Sequence, residues 1–141
     1  MPTEEDVTQD TSIKDKSIGK RLAYIQQNIK VEKGQYNKFG GYSYRSKEDI
    51  LEALKPLCAE TDTYIIVDDD IQLMDNGWVY VKSNATLCGY TNVLGVLKFQ
   101  TIAATGWARE PESKKGMDSS QITGTAASYA GKRALGNLFA L

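Results

Sequence analysis

Apolar residues recur with a helical period in two segments of the first half of the chain. Residues 1–16 are polar and lack such a period, which predicts a disordered arm. Ser17 stands where it can cap a first helix, and Ser46 with Asp49 forms a pair like a capping box at the start of a second. Pro56 is expected to kink or shorten the last turn of this second helix. The predicted buried stripes are Ile18, Leu22, Ile25 and Ile29 in the first helix and Ile50, Leu51, Leu54 and Leu57 in the second.

From Tyr64 onwards the pattern becomes that of strands. The run TYIIV begins a first strand, Asn76-Gly77 is a dipeptide that hairpin turns favour, and WVYVKSNATLCGY returns as a second strand. A turn at residues 91–95 leads to a third strand, VLKFQTIAATGWAR. The predicted unit is an antiparallel β-meander. One face of its second strand should carry Val79, Val81, Ala85 and Leu87, and the other Trp78, Tyr80, Lys82, Asn84 and Thr86.

A polar connection, EPESKKGMD, separates the meander from a last predicted helix. Asp118 and Gln121 occupy the capping-box positions, and the helix is rich in Gly and Ala, so its backbone can approach a sheet closely. The order α, α, β, β, β, α predicts an α+β fold with this helix packed on the sheet. A chain of 141 residues fits one domain, here residues 17–141. Because residues 138–141 end the sequence on an apolar run, we expect that a C-terminal tail is missing.

The composition argues against several kinds of chemistry. The chain has no histidine, which removes imidazole as a base or as a zinc ligand. Cys58 and Cys88 form no cluster with metal-ligand spacing and are interpreted as reduced, buried residues. No apolar run approaches the roughly 18 to 20 residues of a membrane span, and the N-terminus is acidic rather than like a signal peptide. We therefore expect a cytoplasmic protein without metal, cofactor or membrane association.

Three consecutive acids, Asp68, Asp69 and Asp70, raise the possibility of a metal-dependent, structure-specific nuclease. Only Asp68 and Asp70 can share a face of a strand, and no second acidic cluster accompanies them. A charged strand that discourages aggregation is the favoured interpretation. The glycines of GQYNKFGGYSY match neither GxxxxGK[ST] nor a strand-anchored GxGxxG. We therefore expect no enzymatic activity.

Charge is segregated along the chain although the net charge is only −1. Residues 14–55 carry ten Lys or Arg against five acids, whereas residues 58–77 carry six acids and no base. This pattern permits a basic face on a nearly neutral protein.

Residues 31–45, VEKGQYNKFGGYSYR, are predicted to form a loop in which basic and aromatic residues alternate. Single-stranded nucleic acid is bound by cations along its phosphates and by rings on which its bases stack. About half of the rings are expected to join the core, with Phe39 and Tyr44 first among them. A hot spot for a protein partner is the alternative use of this loop. The candidate DNA-binding residues here are Lys33, Tyr36, Lys38, Phe39, Tyr42, Tyr44 and Arg45.

A second candidate DNA-binding group lies in the last third of the chain. The cationic end of this group, Lys132 and Arg133, can also be explained by the dipole at the end of the last helix. Lys114 and Lys115 have no evident structural need, which favours a role in binding. The group consists of Arg109, Lys114, Lys115, Tyr129, Lys132 and Arg133.

Three segments, QYNKFGGYSYRSKEDILEALKP, WAREPESKKGMDSSQITGTAASYAGKRAL and GNLFAL, resemble the phage ERF family of single-strand annealing proteins. The resemblance covers roughly residues 17–141. It implies ATP-independent binding of single-stranded DNA and annealing of complementary strands during phage recombination in the bacterial host cytoplasm. It also implies homo-oligomeric rings or helical filaments, a single-strand-binding protein or an exonuclease as candidate partners, and kinship with eukaryotic ring-forming annealing mediators with a β-β-β-α core.

One departure limits what the resemblance transfers. In the eukaryotic relatives the N-terminal half of the helix after the meander carries several Lys and Arg, whereas residues 123–130 here carry none. DNA contact is therefore expected to depend on Arg109, Lys114, Lys115 and the aromatic loop.

Overall fold

The computed structural model describes residues 12–111 and 118–141. A single turn of 3₁₀ helix, Ile13–Asp15, lies within the N-terminal segment that was predicted to be disordered. Residues 1–11 of that segment are outside the described part. The predicted order of helices and long strands is confirmed, and a short hairpin is added to it between the first two helices. The elements are α1 (Ile18–Asn28), β1 (Gln35–Asn37), β2 (Tyr42–Tyr44), α2 (Lys47–Thr61), β3 (Tyr64–Leu73), β4 (Val79–Val93), β5 (Val96–Arg109) and α3 (Ser119–Phe139).

The helices begin where the sequence predicts. The Ser17 side chain accepts a hydrogen bond from the Lys20 backbone, and α2 and α3 both begin with complete capping boxes. Each box satisfies two backbone N–H groups that a helix start leaves without partners. The helix α2 does not stop at Pro56 but continues to Thr61.

The strands β3, β4 and β5 form an antiparallel sheet in that order, with Asp70 opposite Lys82 and Lys82 opposite Trp107. Alternation along β4 sets two faces, as predicted. Its inner face buries Val81, Ser83, Ala85 and Leu87 against the helices, whereas Tyr80, Lys82, Asn84 and Thr86 on the outer face stay half-buried.

The core lies between the inner face of the sheet and the three helices. Ile25 of α1, Leu54 of α2 and Phe139 of α3 are essentially inaccessible. Gly106 on β5 lets α3 lie directly on the sheet, because a Cβ atom there would collide with the backbone of Ala130 and Ala134. The position of α3 is thereby fixed relative to β5.

A buried arginine joins three distant elements. Arg21 of α1 donates from Nη1 to the carbonyl oxygens of Thr61 and Asp62 at 3.3 and 3.2 Å. Its Nη2 donates to the Tyr90 carbonyl at 2.8 Å and to Thr91 Oγ1 at 2.9 Å. Arg21 thus neutralises the carbonyl end of α2 and fixes β4 at the same time.

The hairpin of β4 and β5 extends beyond the sheet. The strand β3 begins at Tyr64, opposite Cys88, so residues 89–100 pair only with one another. We call this segment the arm. Its turn consists of Leu94 and Gly95, whose φ angles are +52° and +84°.

Both cysteines, Cys58 and Cys88, are free and buried, as predicted. Burial raises the pKa of both thiols. Within the ranges that the model describes, no helix is long and apolar enough to cross a membrane.

Candidate nucleic-acid interface

The segment predicted as an aromatic-basic loop contains the hairpin of β1 and β2. Asn37 Oδ1 accepts hydrogen bonds from the backbone of Phe39 and Gly40 and closes the turn. Phe39 is fully exposed at its tip, so the prediction that Phe39 joins the core is wrong. The strands β1 and β2 are three residues long, and within the described residues they pair with each other and not with the main sheet. The turn between them therefore lies away from the core.

Most other rings of this hairpin also face solvent. Tyr36 and Tyr42 are exposed, and Tyr44 is half-buried where β2 meets α2. The expectation that about half of the rings enter the core is therefore too high. The hairpin presents Tyr36, Phe39 and Tyr42, together with the exposed Lys38, as a surface on which bases could stack.

A cluster of cations lies where α3 passes the start of α2. Lys132 Nζ is 5.3 Å from the ring centroid of Tyr44 and 6.0 Å from that of Tyr129. Arg45 donates to the Val31 carbonyl at 3.2 Å. Two neighbouring clefts, of about 390 and 230 Å³, both have Arg45 and Lys132 in their walls. We call this region the basic groove, and it comprises Lys33, Tyr44, Arg45, Lys47, Tyr129, Lys132 and Arg133.

The cations of the basic groove act on one another and form no ion pairs within the described residues. Burial lowers the pKa of Lys132, and the positive charges of Arg45, Arg133 and Lys33 lower it further. In the described ranges no carboxylate oxygen lies within 4.0 Å of any of these four cations. Among the residues that the structure describes, Glu48 is the one acidic side chain in the walls of the two clefts. A region in which mutually repelling cations outnumber the acids in this way is suited to binding an anion such as a phosphate.

Arg133 is oriented by the edge of the sheet. It donates to the Trp107 carbonyl, and one helical turn later Asn137 donates to the Thr105 carbonyl at 2.8 Å. The helix dipole does not account for Lys132 and Arg133, because α3 continues to Phe139 and its last turn holds no basic residue.

Lys47 is a member of the basic groove that the sequence analysis missed. A Cβ atom on Gly131 would lie 2.8 Å from Lys47 Cδ and 3.2 Å from its Nζ, so the lysine side chain runs across α3 at a residue without a side chain. The position of Lys47 directly after Arg45 and Ser46 was the signal available in the sequence.

Arg109 lies apart from the basic groove, on the outer face of the sheet. It alternates along β5 with Ala108, which is buried beneath α3. Its guanidinium carbon is 3.8 Å from the ring centroid of Trp78. Lys82 Nζ is 5.6 Å from the centroid of the Trp107 ring. We call this group the outer strip, and it comprises Trp78, Tyr80, Lys82, Trp107 and Arg109.

Two sets of predicted residues complete the picture. Lys114 and Lys115 lie outside the described residues. Asp68 and Asp70 share the outer face with their register partners Asn84 and Lys82, and among the described residues no cluster of three or more acids or cysteines could hold a metal ion.

Two comparisons with known proteins agree on the family. The family model described as ERF superfamily matches residues 18–141. The essential recombination function protein of Salmonella phage P22 is 43% identical over 121 residues, which are 86% of this chain and 54% of that relative. The chain thus spans about half the length of that relative. No solved structure matches.

Proposed function

The chain belongs to the ERF superfamily, and from that membership we propose that it acts in phage recombination by binding single-stranded DNA and annealing complementary strands. No nucleotide hydrolysis and no catalytic residue is needed, because base pairing itself drives formation of the product. The observation that carries the proposal is the basic groove, where Lys132 lies near the rings of Tyr44 and Tyr129 and three further cations, Arg45, Arg133 and Lys33, act on it.

In this proposal the basic groove binds the phosphates of one strand. Arg45, Lys132 and Arg133 would neutralise the backbone, and Lys33 and Lys47 would extend the basic path. Bases of the same strand would stack on the hairpin rings, each stacked base contributing about 1 to 3 kcal/mol. A strand held in this way is extended, with base edges free to test a second strand.

Two further predicted contacts, Lys114 and Lys115, also belong to the proposal. Lys114 and Lys115 belong to the connection that leads from β5 to α3, and we propose that they add to the phosphate contacts. Side-by-side assembly of subunits into a ring or filament would align several grooves along one strand and raise the local concentration of bound DNA.

The first experiment measures binding and annealing by the unaltered chain. Labelled single strands should bind more tightly than duplex, with affinity falling as salt rises, and complementary strands should anneal equally with and without ATP. Equal affinity for both DNA forms, insensitive to salt, would contradict the proposal and favour a protein-interaction surface. Strand cleavage on addition of Mg²⁺ would favour the nuclease instead.

The variant Arg45→Gln/Lys132→Gln tests the groove itself. Losing two charge-assisted contacts should weaken single-strand binding about 150-fold or more, since each contact is worth about 1.5 to 3 kcal/mol. The slope of log affinity against log salt should become shallower by about 1.4, which is about 0.7 for each lost phosphate contact. The control Lys14→Gln/Lys20→Gln removes two exposed charges from the N-terminal end of the fold and should change the slope little. Unchanged binding by the groove variant would sink the assignment.

A further inference from the structure

The arm exposes an unusual amount of apolar surface. Each of its strands extends five residues past Tyr64, where β3 begins, a distance of roughly 16 Å. Leu94 is fully exposed, Leu97 is 68% exposed, and the rings of Tyr90 and Phe99 are more than half exposed. An apolar projection of this kind on a folded domain is typical of an interaction surface.

The residue at the tip of the arm violates the local rules of its turn. Both turn residues have positive φ, a conformation for which the dipeptide Asn-Gly is favoured. Leu94 instead adopts φ +52° with its whole side chain in water. A leucine at this position stabilises neither the backbone conformation nor the core of its own subunit. We therefore look for its burial in a contact with another molecule.

The arm is held in place before any partner arrives. Arg21 holds Tyr90 and Thr91 at its root, and Thr91 Oγ1 donates to Gln100 Oε1 at 2.8 Å across the two strands. The rings of Tyr90 and Phe99 pack against each other, with their centroids 5.4 Å apart. An apolar element that is already ordered loses little conformational entropy when it docks.

A matching concave surface lies elsewhere on the same chain. A cleft of about 470 Å³ opens between α2 and the start of β3, next to the unpaired edge of that strand. Leu51, Ala59 and Ile65 line it together with three charged residues, Glu48, Glu52 and Lys55. Lys55 forms an ion pair with Glu52, so the excess charge of the cleft is that of Glu48. The only charged residue of the arm is Lys98. Both surfaces are therefore largely apolar, one projecting and the other concave, and the single charge of the arm is opposite in sign to that of Glu48.

We propose that the arm of one subunit docks into the α2–β3 cleft of a second copy of this chain. Because the two surfaces are different parts of one subunit, the contact is head-to-tail and leaves an arm and a cleft free at the two ends of any chain of subunits. Such a contact continues until a ring closes or a filament forms. The inference rests on the proposed function only in its expectation that subunits assemble.

The test uses two variants that remove opposite sides of the contact. The arm variant, Leu94→Asn/Leu97→Thr, removes apolar surface while giving the turn the dipeptide it favours, so its thermal midpoint should not fall. The cleft variant, Ala59→Arg, places a long side chain at an exposed position of α2 that lines the cleft. The control, Leu73→Thr, alters an equally exposed leucine at the other end of the sheet.

Sedimentation and light scattering then measure assembly with the unaltered chain as reference. The unaltered chain and the control should form large oligomers, and each variant alone should need at least about tenfold higher concentration to assemble. A mixture of the two variants should give dimers and nothing larger, because only one arm and one cleft remain functional. Assembly of either variant like the control, a mixture that stays monomeric, or an unaltered chain that is monomeric with and without DNA would overturn the inference.

Binding of a short oligonucleotide separates this inference from the proposed function. The arm variant should bind an oligonucleotide that covers one subunit as tightly as the unaltered chain does. If assembly follows the expected pattern while no form binds the oligonucleotide, the proposed function fails and the docking contact stands.

Discussion

The basic groove and the outer strip both contain cations that lie near aromatic rings, and they differ in how closely the cations are grouped. In the strip each cation lies over a ring, Arg109 over Trp78 and Lys82 over Trp107, and Asp70 stands opposite Lys82. In the groove, burial lowers the pKa of Lys132, and the neighbouring positive charges of Arg45, Arg133 and Lys33 lower it further. No cation of either region forms an ion pair within the described residues. On this comparison we expect close grouping of cations, rather than aromatic-basic composition, to mark the binding site.

The largest effect is expected from Gly106→Ala, which tests the contact that positions α3, and with it the basic groove, on the sheet. Gly106→Ala should push α3 away from β5, because the new Cβ atom meets helix backbone that cannot move aside. We expect a loss of about 3 kcal/mol in the free energy of unfolding. Gly124→Ala, at a helical glycine with open space around it, should instead stabilise the fold by about 0.5 to 1 kcal/mol. Chemical denaturation measures both, and equal effects would show that α3 does not depend on the close contact at Gly106.

A smaller effect is expected when the cations of the strip are removed. Lys82→Gln/Arg109→Gln should lower the free energy of unfolding by about 1 to 2 kcal/mol, since each cation–ring contact is worth about 0.5 to 1 kcal/mol. Its affinity for single-stranded DNA should stay within about twofold of the unaltered chain. Fluorescence anisotropy alongside thermal melting distinguishes the two roles. A loss of affinity like that of the groove variant would erase the distinction between the two regions.

The smallest effect concerns pH. Phosphate favours the charged form of Lys132, so binding should raise its lowered pKa and take up a proton. Affinity for single-stranded DNA should therefore fall as pH rises, and the fall should begin below pH 10.5, the pKa of an ordinary lysine. Lys132→Arg keeps its charge throughout this range, so its affinity should fall less. Parallel pH profiles for the two proteins would mean that Lys132 does not contact the phosphates.

Sequence analysis succeeded where local rules decide the structure. The capping pair of Ser46 and Asp49 fixes the start of α2, and alternation along β4 places Val81 and Leu87 inside. These features depend on residues within a few positions of one another. The predicted α+β order of helices and long strands follows from them.

The features that sequence analysis missed depend on distant contacts. The side of the sheet on which Arg109 lies follows from the register of β5, and the approach of Lys47 to Lys132 requires α2 and α3 to meet. Phe39 was expected in the core because large rings are usually buried, but none of the described residues covers its ring. Arg21 was not singled out, although it lies on the buried side of α1 between Ile18 and Ile25.

The buried Arg21 also has a consequence for the order of folding. Its four hydrogen bonds connect residues 40, 41, 69 and 70 positions away in the sequence. Contacts across such long loops form only after the intervening chain has collapsed, because closing each loop costs entropy that local contacts do not. The root of the arm is therefore fixed at a late stage, after α1, α2 and β4 have met. We therefore expect a nascent or partly unfolded chain to lack a rigid arm, so that the proposed docking of the arm would require completely folded subunits.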